Sequence, residues 1–328
     1  LFKVNNAAGF DDFRLALLPM PSQLVGRSKR SMNEINDPTF LAITAAFAVA
    51  ALIFAVAALI GVLRRVPQGA QPDSPELPCV LPPPLPVGKV RVGLYGSLDL
   101  LPVILIFSAF SLLVVSSLLA SASPDRELAV SDLLMNIGFQ IFIAAMVVVY
   151  MTRRTAASDW LGLRWSAWPK AFLIGPASVM GMWLIFAVLQ ACGYMQWMES
   201  LGAETVQESV RLLQTTEDPA VLALMGLAAV IVAPLCEELL FRGYLYPVAK
   251  KFTGPWLAAC SSALFFAAAH GNLSALLPLF LFGLLLVWIY EKTGSLWAPI
   301  AVHFCFNSAT VVVQMIYRHF NIPLDAVP

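Results

Sequence analysis

Charge is scarce in this sequence. Asp, Glu, Lys and Arg make up 12% of it, against roughly 25% in an average soluble domain, while hydrophobic residues reach 59% and the mean hydropathy is +0.78. That balance excludes a water-soluble globular domain and describes a polytopic membrane protein. The formal net charge is zero, so no overall basic field points to nucleic acid. Histidine is rarer still, with three residues, His270, His303 and His319. None of the five cysteines, Cys79, Cys192, Cys236, Cys260 and Cys305, stands in C-x-x-C spacing. They read as small, buried, unpaired thiols and not as a disulfide or metal framework. No H-E-x-x-H occurs, and no internal repeat is evident, which counts against the inverted-repeat architecture of many secondary transporters.

What the chain does have is a succession of apolar stretches, each of about the length that crosses hydrocarbon and each bounded by charge, Pro or Gly. They fall near 39–63, 99–121, 131–151, 170–193, 219–247, 255–271, 275–291 and 295–317. The expected fold is therefore all-α, a bundle of eight transmembrane helices. Residues 1–37 read as an N-terminal extension, 38–66 as the first transmembrane helix, 67–98 as a proline-rich linker, 99–159 as accessory transmembrane helices, 160–318 as the core and 319–328 as a tail. Pro82, Pro83 and Pro84 make the linker an extended segment and not a helix. Residues 1–31 lack a continuous apolar core and so fit a signal peptide poorly; with Met32 opening the acidic stretch before the first span, they read as an upstream extension or a misassigned start. Arg64, Arg65, Arg153, Arg154, Lys170, Lys250, Lys251 and Lys292 all fall on one side of the bundle, which the bias of basic residues assigns to the cytoplasm.

Against that apolar background the few polar residues inside the spans carry the information. Glu237, Glu238 and Arg242 lie within one hydrophobic segment, where each charge costs at least a few kcal/mol. His270 and His303 lie in later spans, with Asn307 one helical turn after His303. At about 1.5 Å per residue, Glu237 is about 20 Å from Lys250, His270 about 22 Å from Pro255 and His303 about 16 Å from Lys292. Three helices thus present these side chains at a similar depth, inside the bundle and within reach of a water-filled cavity. Glu238 and Arg242 are i and i+4 on one helical face and can pair, with Glu in the favoured N-terminal position. Glu237 points about 100° away and keeps an uncompensated carboxylate, the form that a general base requires. His303 and Asn307 share a face and can both donate toward a developing oxyanion. His270 is free to act with Glu237 on a water.

The same residues carry a family resemblance. Glu237-Glu238-x-x-x-Arg242, Phe266-x-x-x-His270 and His303-x-x-x-Asn307, in that order on successive helices, resemble the three motifs of the CPBP family, the CAAX-protease, bacteriocin-processing and abortive-infection type of intramembrane endopeptidase. The resemblance covers about residues 160–317. It implies a protease core in which Glu237 and His270 activate water and His303 and Asn307 stabilise the oxyanion. Glu238, Arg242 and Phe266 then support the site. Its partners would be a peptide or membrane-protein substrate and the lipid bilayer, its location a prokaryotic plasma membrane, and no cofactor is implied.

Blander readings stand beside these. Glu238 and Arg242 can be a structural ion pair that never touches substrate. A transporter or a non-catalytic bacteriocin-immunity or scaffold protein could also hold Glu, Arg and His at this depth. Glu237, His270 and His303 match a Glu/His/His zinc set in composition, which keeps metal ligation from three helices open. His319, beside Arg318 at the membrane surface, is assigned no role.

Overall fold

The computed structural model describes residues 38–63, 88–119, 130–204 and 207–322. The N-terminal extension, most of the proline-rich linker with Cys79, and the last six residues lie outside the described residues. The elements are helical throughout, and the protein is a multi-pass membrane protein. Eight helices form the bundle: α1 (Pro38–Leu63), α2 (Leu100–Leu119), α3 (Val130–Thr152), α4 (Ala171–Ala191), α5 (Pro219–Thr253), α6 (Pro255–Ala268), α7 (Leu273–Thr293) and α8 (Trp297–His319). Seven are long and apolar enough to cross a membrane. The eighth expected span differs: α6 has 14 residues, a length of about 21 Å against about 30 Å of hydrocarbon. It ends where Gly271, at φ +65°, turns the chain into α7. The segment expected at 219–247 is longer than its apolar run suggests, because the helix continues through Lys250 and Lys251 to Thr253.

α6 sits at the centre, packed along α7 and against α1. Phe265 on α6 is fully buried; Phe107 of α2 stacks on it at 3.8 Å between ring centroids, and Phe47 of α1 meets it edge-on at 5.5 Å. Ser261 Oγ donates to the Ala50 carbonyl of α1 at 2.9 Å. The accessory helices thus brace the helix that carries Phe266. Four cysteines are described, all free; Cys192 is exposed and Cys236, Cys260 and Cys305 are half-buried, so none is fully buried as the apolar setting suggested.

Prolines shape the rest. A proline removes a backbone N–H, and hydrocarbon offers the vacated carbonyl no water. Pro278 in α7 leaves the Ser274 carbonyl without its helical donor, and Tyr194 OH donates to it at 3.0 Å. α5 contains two π-helical stretches, Ala228–Val232 and Glu238–Leu245, each followed closely by a proline, Pro234 and Pro247. Pro247 vacates the Gly243 carbonyl, which accepts from both Tyr95 OH and Trp160 Nε1, each at 3.0 Å. Tyr95 lies just before α2 and Trp160 in the turn of helix Ala157–Trp160 before α4. Burial pushes the Tyr95 and Tyr194 phenols above their ordinary pKa, so both remain donors.

If this capping holds α5, changing Tyr95→Phe together with Trp160→Phe strands a buried carbonyl and costs about 1–3 kcal/mol. Thermal unfolding in detergent should show a lowered midpoint, and adding Pro247→Ala should recover part of it by returning an N–H to Gly243. An unchanged midpoint in the double variant would mean that the carbonyl finds another donor.

Candidate active site

Glu238 is the node of the polar cluster. Its side chain and that of Arg242 are fully buried, and Arg242 Nη1 donates to Glu238 Oε1 at 2.8 Å. The i,i+4 pairing expected from the spacing is thus made, although this part of α5 is π-helical and not α-helical. Arg242 Nη2 also donates to the Gly283 carbonyl at 3.2 Å. Gly283 permits this because a Cβ there would come within 2.9 Å of Ala263 Cβ, so α6 and α7 close only over a residue without a side chain. The guanidinium lies over the Phe266 ring at 4.5 Å, a cation–π contact in a dry setting.

His303 joins the same carboxylate. Its Nδ1 lies 2.9 Å from Glu238 Oε1, and since that oxygen is an acceptor, Nδ1 carries the proton. The other nitrogen, Nε2, faces Glu237 Oε2 at 3.9 Å. Phe266 and Phe282 meet the imidazole edge-on, at 5.9 and 5.3 Å between centroids, and fix its plane.

Glu237 differs from its neighbour. Its side chain is 22% exposed against 0% for Glu238. The buried Oε2 of each lacks a hydrogen-bond partner, but Glu238 is bonded twice through Oε1, whereas the Glu237 side chain makes no hydrogen bond among the described residues. Successive residues of one helix therefore hold a locked carboxylate and an open one.

The remaining candidates stand further out. His270 lies two residues past the end of α6 and is exposed. Its Nδ1 donates to the Phe266 carbonyl at 2.8 Å, leaving Nε2 as an acceptor, and its ring meets Phe266 at 4.9 Å. No hydrogen bond or ion pair joins it to Glu237 among the described residues; Phe266 touches both imidazoles. Asn307 Nδ2 donates to the Ala229 carbonyl at 2.7 Å. Proline explains this partner: Ala233 N–H is spent on Ala228, and Pro234 has none to offer, so Ala229 has no backbone donor. The amide keeps a second hydrogen. Among the described residues no three His, Cys, Asp or Glu side chains are disposed to hold a metal ion, so Glu237, His270 and His303 are not gathered as a zinc set in this geometry. Sequence reasoning missed Gly283, Phe282 and Ala229; Pro234 was the only sign of the last.

A family match falls on this region. Residues 219–309, which contain Glu237, Glu238, Arg242, Phe266, His270, His303 and Asn307, match the family described as type II CAAX prenyl endopeptidase Rce1-like. Over 176 residues the chain is 26% identical to the "Putative membrane peptidase YdiL" of Bacillus subtilis (strain 168), a match covering 53% of this chain and 69% of that protein. Over 78 residues it is 40% identical to an "Uncharacterized 24.3 kDa protein" of Escherichia coli, covering 22% of this chain and 36% of that one. It is 33% identical over 78 residues to the "UPF0177 protein YxdF" of Lactococcus lactis subsp. lactis (strain IL1403), covering 24% and 42% respectively. No solved structure matches.

The buried pair yields a stability test. Arg242→Ala leaves the Glu238 carboxylate without its cation and should cost about 3–5 kcal/mol. Glu238→Gln with Arg242→Gln should recover part of that in thermal unfolding. Absence of any recovery would show that Arg242 owes its place to another partner.

Proposed function

We propose that the chain, whose residues 219–309 match the Rce1-like family, is an intramembrane endopeptidase of the CPBP type. It hydrolyses membrane-associated or lipidated peptides in a prokaryotic plasma membrane, through water and without a metal cofactor. The observation that carries this reading is the contrast between the two adjacent glutamates. Glu238 is fully buried and bonded through Oε1 to both Arg242 and His303, whereas Glu237 is partly exposed and its side chain makes no hydrogen bond among the described residues.

In the proposed reaction Glu237 takes a proton from water as the oxygen attacks the peptide carbonyl carbon. His270, with Nδ1 tied to Phe266 and Nε2 left as an acceptor, orients that water from the exposed side. His303, whose Nε2 is turned toward Glu237, donates to the oxyanion when that nitrogen carries a hydrogen, and the second amide hydrogen of Asn307 adds another donor. Collapse of the tetrahedral intermediate breaks the C–N bond, and the proton held by Glu237 passes to the leaving nitrogen. Glu238 does no proton transfer; it orients His303 while Arg242 neutralises it. The bacterial relatives support the prokaryotic setting, and the basic residues at Lys250, Lys251 and Lys292 assign that end of the bundle to the cytoplasm.

Quantitative membrane proteomics of cells carrying wild type or Glu237→Gln should find peptide termini that vanish in the variant while its abundance and insertion stay unchanged. Identical sets of termini would sink the assignment. Metal independence is tested separately: activity of purified protein should survive prolonged chelation, with zinc well below one per chain. Stoichiometric zinc that His303→Ala loses, and that alone restores activity to the stripped wild type, would replace the water-only mechanism with a metal one.

A further inference from the structure

A second site lies outside the polar cluster, at the end of the bundle where α7 passes into α8. A cavity of about 350 Å³ is enclosed by residues 88–91, the turn at 158–165 and the α7–α8 connection. Its charged lining is Lys89, Arg91 and Arg164 against the single carboxylate of Asp159, all exposed. Among the described residues none of the three cations has a hydrogen bond or ion pair for its side chain. Three unneutralised charges on one cavity repel one another, and an anion placed among them would relieve that repulsion.

The walls of the cavity are fixed. Lys89 N–H donates to the Glu291 carbonyl at 3.1 Å, Lys250 Nζ to the Val90 carbonyl at 3.1 Å, and Leu296 N–H to the Leu161 carbonyl at 2.9 Å. Gly162, at φ +61°, packs so closely that a Cβ would lie 1.9 Å from the Gly294 carbonyl oxygen. The cations therefore project from pinned backbone and not from a loose tail.

Tryptophans give its depth. Trp168, Trp256 and Trp297 stand at the ends of α4, α6 and α8 on this side, with Trp288 near the end of α7, and they are 59%, 84%, 45% and 58% exposed. Exposed tryptophans at one level mark the membrane–water interface. The cavity, bounded by Gly294 and Ser295 between α7 and α8, opens at that level. α4, which follows the 158–165 turn, begins with Phe172 and Leu173, 76% and 75% exposed, an apolar surface for acyl chains.

We infer that this cavity binds the phosphate of an anionic phospholipid headgroup, with Arg91 and Arg164 as the principal ligands and Lys89 completing the charge. Guanidinium groups suit phosphate through paired N–H donors, and basic pockets between membrane helices at the headgroup level are where such lipids are held. The cavity shares no lining residue with the polar cluster around Glu237 and Glu238 and does not depend on the proposed function.

The test uses the full chain in nanodiscs of phosphatidylcholine with phosphatidylglycerol, released into native mass spectrometry. Wild type should retain one phosphatidylglycerol with about tenfold preference over phosphatidylcholine. Arg91→Gln with Arg164→Gln should abolish that preference. Arg153→Gln with Lys170→Gln, the same charge change on the same side but outside the cavity, should keep it. Wild type alone decides the matter if the first variant does not fold, since equal retention of the two lipids overturns the site. Equal loss in the control pair would show diffuse surface charge instead, and release of bound lipid by millimolar inorganic phosphate would show a free-anion site.

Discussion

In hydrocarbon a backbone carbonyl that loses its helical donor has no water to turn to, and much of this structure follows from meeting that constraint. Three prolines vacate carbonyls in the core, and each carbonyl is served by a side chain from a different element. Tyr194 serves Ser274, Tyr95 and Trp160 serve Gly243, and Asn307 serves Ala229. These bonds tie the residues before α2, the turn before α4 and the middle of α8 to α5, and the helix Tyr194–Ser200 after α4 to α7. The helix that carries Glu237, Glu238 and Arg242 is thereby held in its π-helical form from both sides, at Ala229 and at Gly243. Asn307 then has a structural duty as well as the oxyanion role proposed for it, and its two amide hydrogens allow both.

The second constraint is electrostatic. A carboxylate buried as completely as Glu238 is tolerable only with a cation and further donors, and Arg242 with His303 provides them. The bond to Glu238 Oε1 puts an N–H on His303 Nδ1 and aims Nε2 at Glu237. One carboxylate is thus consumed in orienting the machinery, and its neighbour stays available because helix geometry turns it elsewhere. On the proposed reading, a structural ion pair and a functional glutamate are complementary consequences of one Glu-Glu dipeptide.

The helical class and most of the span positions were legible from apolar run lengths, since hydrocarbon thickness dictates them. The Glu238–Arg242 pair was legible from spacing alone, because π- and α-helices both bring residues four apart within reach. The end of α6 at Ala268 was not, since the apolar run carries on through Ala269 and only Gly271 breaks it. His270 consequently lies in a turn and not on a helix face opposite Glu237. The partners of Asn307 and Arg242 were hidden because both are backbone carbonyls, which no side-chain pattern reveals. The docking of residues 88–91 over Glu291 was equally invisible, as it rests on main-chain bonds at the end of a proline-rich stretch.

The division of labour between the adjacent glutamates is the centre of the account, and one paired measurement addresses it. Turnover of a cleaved peptide and the thermal midpoint are determined on the same proteoliposome preparations of wild type, Glu237→Gln and Glu238→Gln. Glu237→Gln is expected to keep the wild-type midpoint while losing at least about 10²–10⁴-fold in turnover, and Glu238→Gln to lower the midpoint because Arg242 and His303 lose their anion. Turnover by Glu237→Gln within about tenfold of wild type, below the range of an acid–base residue, would contradict it.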